Sequence, residues 1–316
     1  MINVAIKVYF ISITPFTMKR RSFITRSTLA GTGLMLAPQM TWGRPNANTF
    51  KLLYAPHFGM FKNHAGSDIF DELRFMHEMG FRALEDNGLM KRSTDDQQRL
   101  GSLLKELKMQ MGVFVIDGGD NWKTSLTTGK AEFVDTFVKA CEQAVEVAAR
   151  VNATWMTVVP GFYDRSLPLG VQTSNVINAL RKGAEVLEPH NLVMVLEPLS
   201  DTPELFLRYA HQTYMICKAV NSPACKILYD VYHMQRNEGH LIPNIDLCWD
   251  EIAYFQVGDN PGRKEPTTGE INYKNLFKHI HNKGYTGVVG MEHGNAKSGK
   301  EGELALIEAY KSVDSF

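Results

Sequence analysis

The chain has 316 residues, room for one large domain or two small ones, and its 44% hydrophobic content is that of an ordinary globular protein. Its 34 Lys and Arg balance 34 Asp and Glu, but the first 43 residues hold five basic groups and no acid, so the remainder carries a net charge of −5. That balance argues against a nucleic-acid partner, which would want a basic face.

The N-terminal region stands apart. Lys7, Lys19, Arg20, Arg21 and Arg26 are followed by the small, apolar run STLAGTGLMLA. A charged segment before an apolar one is the order of a secretory leader, and Arg20-Arg21 followed by Ser22-Phe23-Ile24 resembles a twin-arginine export signal. Residues 1–43 are therefore expected to be a signal region, with Thr41-Trp42-Gly43 offering small residues for cleavage and Met18 an alternative start. The expected location is the periplasm, and no membrane span is expected once the signal is removed.

From residue 44 onward, apolar runs alternate with amphipathic segments. Strands are predicted over 52–56, 81–86, 110–117, 153–160, 191–198, 225–233, 252–259 and 285–294. Helices are predicted over 69–80, 94–109, 132–151, 174–190, 202–220, 241–250, 273–284 and 300–312, with Pro203 near one start and Gly80 and Gly284 past two ends. Eight strands alternating with eight helices predict an α/β fold, a (β/α)8 TIM barrel over 44–316. An open doubly wound sheet would usually carry a glycine-rich phosphate turn after its first strand, and His57-Phe58-Gly59-Met60 is not one. Cys141, Cys217, Cys225 and Cys248 form no C-x-x-C pair, so a thiolate zinc site is not expected, nor is a Cys217–Cys225 bridge.

Four polar side chains sit where four successive apolar runs stop: Glu197 in VMVLEP, Asp230 in KILYDVYH, Gln256 in AYFQVGD and Glu292 in VVGMEHG. In a barrel those positions lie at the C-terminal rim, where ligands bind. Three carboxylates and an amide brought together there repel unless a cation lies between them. An all-oxygen set suits Mg²⁺ or Mn²⁺ better than Zn²⁺. His233, three residues after Asp230, is a candidate proton donor or substrate contact. Arg263 lies in DNPGRKEPTTGEINY, where turn signals present it beyond the seventh strand to grip a carboxylate or sugar oxygen. Glu270 is expected to brace that loop or cap the next helix. Weaker candidates are Glu85, His57, Asp117 and Trp122.

Residues 190–294 resemble the hydroxypyruvate isomerase family of the xylose isomerase-like barrels. The resemblance rests on VLEPLS, the D-x-x-H-M-Q of Asp230 to Gln235, FQVGDNPGRKEPTTGEINY and GMEHG, with a weaker likeness at Gly80 to Glu85. One departure is Lys264, where the family commonly has histidine. The resemblance implies isomerisation of a sugar or keto acid through an enediolate. It implies that Glu197 and Glu292 are the acid/base pair and also metal ligands, that Asp230 and Gln256 complete the metal shell, and that His233 and Arg263 hold substrate oxygens. The expected partner is a small carbohydrate or keto acid, and a homo-oligomer is compatible with the sequence. The alternatives are a lyase or hydratase acting on a 3-keto sugar or glycoside, a non-catalytic sugar-binding barrel, and an endonuclease-like barrel, which would want more histidine ligands and a basic groove.

Overall fold

The computed structural model describes residues 50–316; the expected signal region lies outside them. Nine short strands alternate with helices. In chain order they are β1 (Leu53–Ala55), β2 (Ala83–Leu84), β3 (Gln110–Met111), β4 (Phe114–Val115), β5 (Trp155–Val158), β6 (Val193–Leu196), β7 (Cys225–Asp230), β8 (Ile252–Gln256) and β9 (Val288–Gly290). All pair in parallel. Seven follow the order β1-β9-β8-β7-β6-β5-β4, and β2 pairs with β3.

β3 and β4 are two halves of the single strand expected over 110–117. Its first half pairs with β2 and its second with β5, and the Gly112 N–H donates to the Leu84 carbonyl at 2.7 Å in between. The seam between β1 and β2 is closed by the Glu85 N–H on the Pro56 carbonyl at 2.9 Å and a bridge between His57 and Glu85. The strands thus form the expected (β/α)8 barrel.

Two faces of each strand are buried, which is why the strands read as unbroken apolar runs. Ala55, Ala83, Val113, Val195, Leu228, Tyr254 and Val288 fill the barrel interior, while alternate residues such as Leu196, Tyr229 and Phe255 join the larger core under the helices. Side chains two apart on a strand share a face. Continuing the inward set by two therefore gives Glu85 from Ala83, Glu197 from Val195, Asp230 from Leu228 and Gln256 from Tyr254. Two further steps from Val288 give Glu292. One parity fills the barrel and lines its mouth.

The helices are α1 (Lys62–Ala65), α2 (Ile69–Glu78), α3 (Thr94–Leu107), α4 (Ala131–Val151), α5 (Leu169–Leu187), α6 (Ala210–Val220), α7 (Val231–Asn237), α8 (Leu241–Cys248), α9 (Tyr273–Asn282) and α10 (Gly299–Val313). Asn152 and Asn221 end α4 and α6 in the left-handed conformation, which asparagine tolerates, and turn the chain toward the next strand.

Several boundaries differ from expectation, and the helix expected over 174–190 runs from Leu169 to Leu187. The helix expected over 202–220 begins at Ala210, because 202–209 is spent on the rim: Tyr163 N–H donates to the Glu204 carbonyl at 2.9 Å, and Phe206 N–H to that of Gly161 at 3.1 Å. The strand expected to reach His233 stops at Asp230, whose carboxylate accepts the Tyr232 and His233 N–H groups at 2.7 and 3.3 Å and so starts α7. All four cysteines are buried free thiols, and no described helix is long and apolar enough to cross a membrane.

Candidate active site at the barrel mouth

Glu197, Asp230 and Glu292 meet at the C-terminal rim with His233. One polar atom from each lies within 4.8 Å of those of the others. Gln256 is the register partner of Asp230 on the neighbouring strand. Its Oε1 and the Oε1 of Glu197 are buried with no donor within hydrogen-bond distance. A buried acceptor left unpaired costs about 1–3 kcal/mol. An oxygen-coordinated cation would satisfy both, and the carboxylates around them supply the charge. The residues therefore fit a hard divalent ion, and Glu197, Asp230, Gln256 and Glu292 are the side chains that could hold it.

His233 belongs to the same cluster but is set up differently. Its Nδ1 accepts the Ser200 backbone N–H at 3.1 Å and lies 2.8 Å from the Ser200 hydroxyl. A backbone N–H only donates, so Nδ1 carries the lone pair and Nε2 the proton. Burial lowers the pKa of His233, which favours this neutral form. Nε2 then presents an N–H toward Asp230 at 3.6 Å and Glu197 at 3.8 Å. A protonated nitrogen is no ligand for a metal, so this geometry suits the donor role expected from the sequence.

Arg263 reaches the cluster from the loop after β8. Its Nη2 donates to Glu292 Oε2 at 2.9 Å and Asp230 Oδ2 at 3.3 Å, and its Nε to the Glu292 carbonyl at 3.2 Å. Nη2 also lies 3.1 Å from His233 Nε2. Both nitrogens face the same carboxylate oxygen, Asp230 Oδ2, at 3.3 Å from Nη2 and 3.6 Å from Nε2. The loop is built to deliver this side chain. Arg263 has φ +49°, a left-handed conformation that costs a non-glycine residue energy. The Asp259 carboxylate secures the turn by accepting the Gly269 and Ile271 N–H groups at 2.8 and 3.1 Å. Glu270 accepts from Asn260 and from Gln235, so it braces the loop, whereas Asn272 caps α9.

Burial raises the proton affinity of both glutamates. Glu197 is pushed well above the carboxylate range by burial and then by the nearby charges of Glu292 and Asp230. Glu292 is raised to about 7, chiefly by burial, with Arg263 pulling back and Asp230 adding to the rise. Two neighbouring carboxyls with raised proton affinity suit an acid/base pair.

Contacts between residues far apart in the chain, which the sequence does not signal, complete the site. Asn87 donates to Glu292 Oε1 at 3.0 Å, and Ser200 orients His233. Of the weaker candidates, Glu85 is buried beside Gln256, whose amide donates to it at 3.0 Å. His57 rests against the backbone carbonyls of Phe58 and His293, and Asp117 closes a local turn on the Gly119 N–H. Trp122 stands exposed.

Comparison with known proteins finds relatives in sequence and in fold. Hydroxypyruvate isomerase of Escherichia coli is 36% identical over 140 residues, 44% of this chain and 54% of that enzyme, so the match spans about half the length of that relative. The 2-oxo-tetronate isomerase of Cupriavidus necator is 26% identical over 61% of this chain and 73% of its own. Among solved structures, a 3-keto-D-glucoside 4-epimerase of E. coli superposes with a TM-score of 0.69 at 18% identity, covering 84% of this chain and all of that one, a likeness of fold. The sequence profile of the xylose isomerase-like TIM barrels matches residues 73–313. The chain belongs to the xylose isomerase-like TIM barrel family.

Proposed function

We propose that this protein is an isomerase or epimerase of a small keto acid or sugar, working by proton transfer between Glu197, Glu292 and carbon next to a carbonyl. The observation that carries the reading is the meeting of buried Glu197 and partly buried Glu292, both with raised proton affinity, in one cluster that also holds unpaired buried oxygens. The two isomerases similar to this chain support the reaction class.

In this reading one glutamate removes the proton from the carbon between a carbonyl and a hydroxyl, and the other returns one. Delivery to the neighbouring carbon isomerises; delivery to the opposite face of the same carbon epimerises. Without a cation, burial raises the proton affinity of both carboxyls, Glu292 to about 7 and Glu197 well above the usual carboxylate value, which suits groups that take and return protons. The His233 Nε2–H and the Arg263 guanidinium are donors for substrate oxygens. A divalent cation held by Glu197, Asp230, Gln256 and Glu292 would polarise the carbonyl and acidify the adjacent C–H; the all-oxygen set favours Mg²⁺ or Mn²⁺ over Zn²⁺.

Export through residues 1–43 to the periplasm belongs to the same proposal and rests on Arg20-Arg21 and the apolar run after them. Assaying the full chain with Mn²⁺ against keto acids, ketoses and keto-glycosides tests the reading. Turnover with isomerised or epimerised product supports it; elimination or hydration products alone would replace it with a lyase.

A further inference from the structure

We propose that Glu85 is a positioning residue for the cation site: its carboxyl fixes the Gln256 amide so that the amide oxygen, not the nitrogen, faces the pocket. The inference rests on the cation-assisted reading above and deepens it.

The two ends of a glutamine amide are nearly identical in shape, and only hydrogen bonding decides which way it points. Gln256 Nε2 donates to Glu85 Oε1 at 3.0 Å, inside the barrel. With the nitrogen engaged there, Oε1 is turned away and left buried and unpartnered, available to a cation. Glu85 is itself held. The Tyr254 hydroxyl, fixed by accepting the Val113 N–H at 3.3 Å, packs beside it over Gly112.

The barrel makes room for this carboxyl. A Cβ on Gly290 would lie 2.0 Å from Glu85 Oε1. On Gly112 it would lie 2.3 Å from the Tyr254 hydroxyl and 3.2 Å from Glu85 Cγ. Glu85 is 1% exposed and replaces what an apolar side chain could fill at this level of the barrel. Burying a carboxyl is costly unless its hydrogen bonds return something. Here they orient a pocket-facing oxygen, the work that residues behind metal ligands do elsewhere.

The test is Mn²⁺ affinity by titration calorimetry on the full chain, comparing the unaltered protein with Glu85→Leu, Gln256→Leu and the double variant. Loss of a residue behind a ligand typically weakens metal binding about 10–100-fold, and that is expected for Glu85→Leu. If Glu85 acts through Gln256, the double variant binds no more weakly than Gln256→Leu alone. Glu85→Gln, which keeps an acceptor oxygen, should recover most of the loss. Should Glu85→Leu fail to fold by circular dichroism, Glu85→Met takes its place in the cycle. Unchanged affinity in the apolar variant, additive losses in the double variant, or no recovery with Glu85→Gln would each overturn the proposal, the last two by assigning the effect to the charge of Glu85. An unaltered protein that binds no Mn²⁺ would instead overturn the cation reading on which it rests.

Discussion

Cation binding at the barrel mouth should be tightly linked to pH, and the sign follows from the glutamates. A bound cation requires ionised carboxylates, and burial pushes Glu292 to about 7 and raises Glu197 well above its ordinary value. Protons and cation therefore compete. For Glu292 alone, mass action makes binding about tenfold weaker at pH 6 than at pH 8, and proton release from Glu197 steepens the trend. Stability without cation runs the other way. A carboxyl with a raised folded-state pKa contributes stability below its unfolded value, and that contribution is lost as pH rises through about 7. For Glu292 the loss is at most about 3 kcal/mol, an upper bound because 24% of its side chain stays exposed. Mn²⁺ titration calorimetry at pH 6, 7 and 8, in buffers of differing ionisation enthalpy, reads affinity and proton release together. Thermal unfolding without cation should show the protein less stable at pH 8 than at pH 5, and added Mn²⁺ should reverse this. Affinity independent of pH, with no proton released, would refute the linkage.

Glu197→Gln and Glu292→Gln should each keep the fold and reduce turnover about 100-fold or more, as steady-state assays would show; near-normal rates in both would remove the acid/base assignment. Gly269→Ala places a Cβ 2.0 Å from the Asn260 carbonyl and 2.7 Å from Asp259 Oδ1, so it should displace the loop carrying Arg263. Denaturant unfolding should show a loss of about 1–3 kcal/mol, with activity falling alongside. Replacing Arg20 and Arg21 together by lysine should retain in the cytoplasm a chain that otherwise reaches the periplasm; equal distribution of the two forms on cell fractionation would reject the export proposal.

The barrel was legible because its strands are buried on both faces and so appear as short apolar runs. The rim residues were legible because each ends such a run. The alternation that carries Val195 to Glu197 and Leu228 to Asp230 also marks Glu85, which sequence reading ranked low because nothing along the chain reveals its contact with Gln256, 171 residues away. Local signals misled in two places. Pro203 resembles a helix start, yet its segment hydrogen-bonds to the loop near Gly161 and the helix waits until Ala210. The apolar Val231-Tyr232 reads as more strand, but the Asp230 carboxylate caps a helix there. The protonated nitrogen of His233 depends on a Ser200 amide 33 residues earlier, and the Glu292 contact with Asn87 spans 205 residues. Such long-range contacts leave no periodic trace in a single sequence.

Proton transfer through the carboxylate pair is the central claim, and turnover in D₂O measures it. The Mn²⁺-supplemented protein is given hydroxypyruvate, or whichever keto acid or sugar it converts, and the product is weighed by mass spectrometry. Proton transfer predicts deuterium on the reacting carbon, with Glu197→Gln and Glu292→Gln both suppressing its incorporation. Product free of deuterium after many turnovers, formed at an undiminished rate by the Glu197→Gln variant, would contradict the claim and point to transfer of the substrate's own hydrogen.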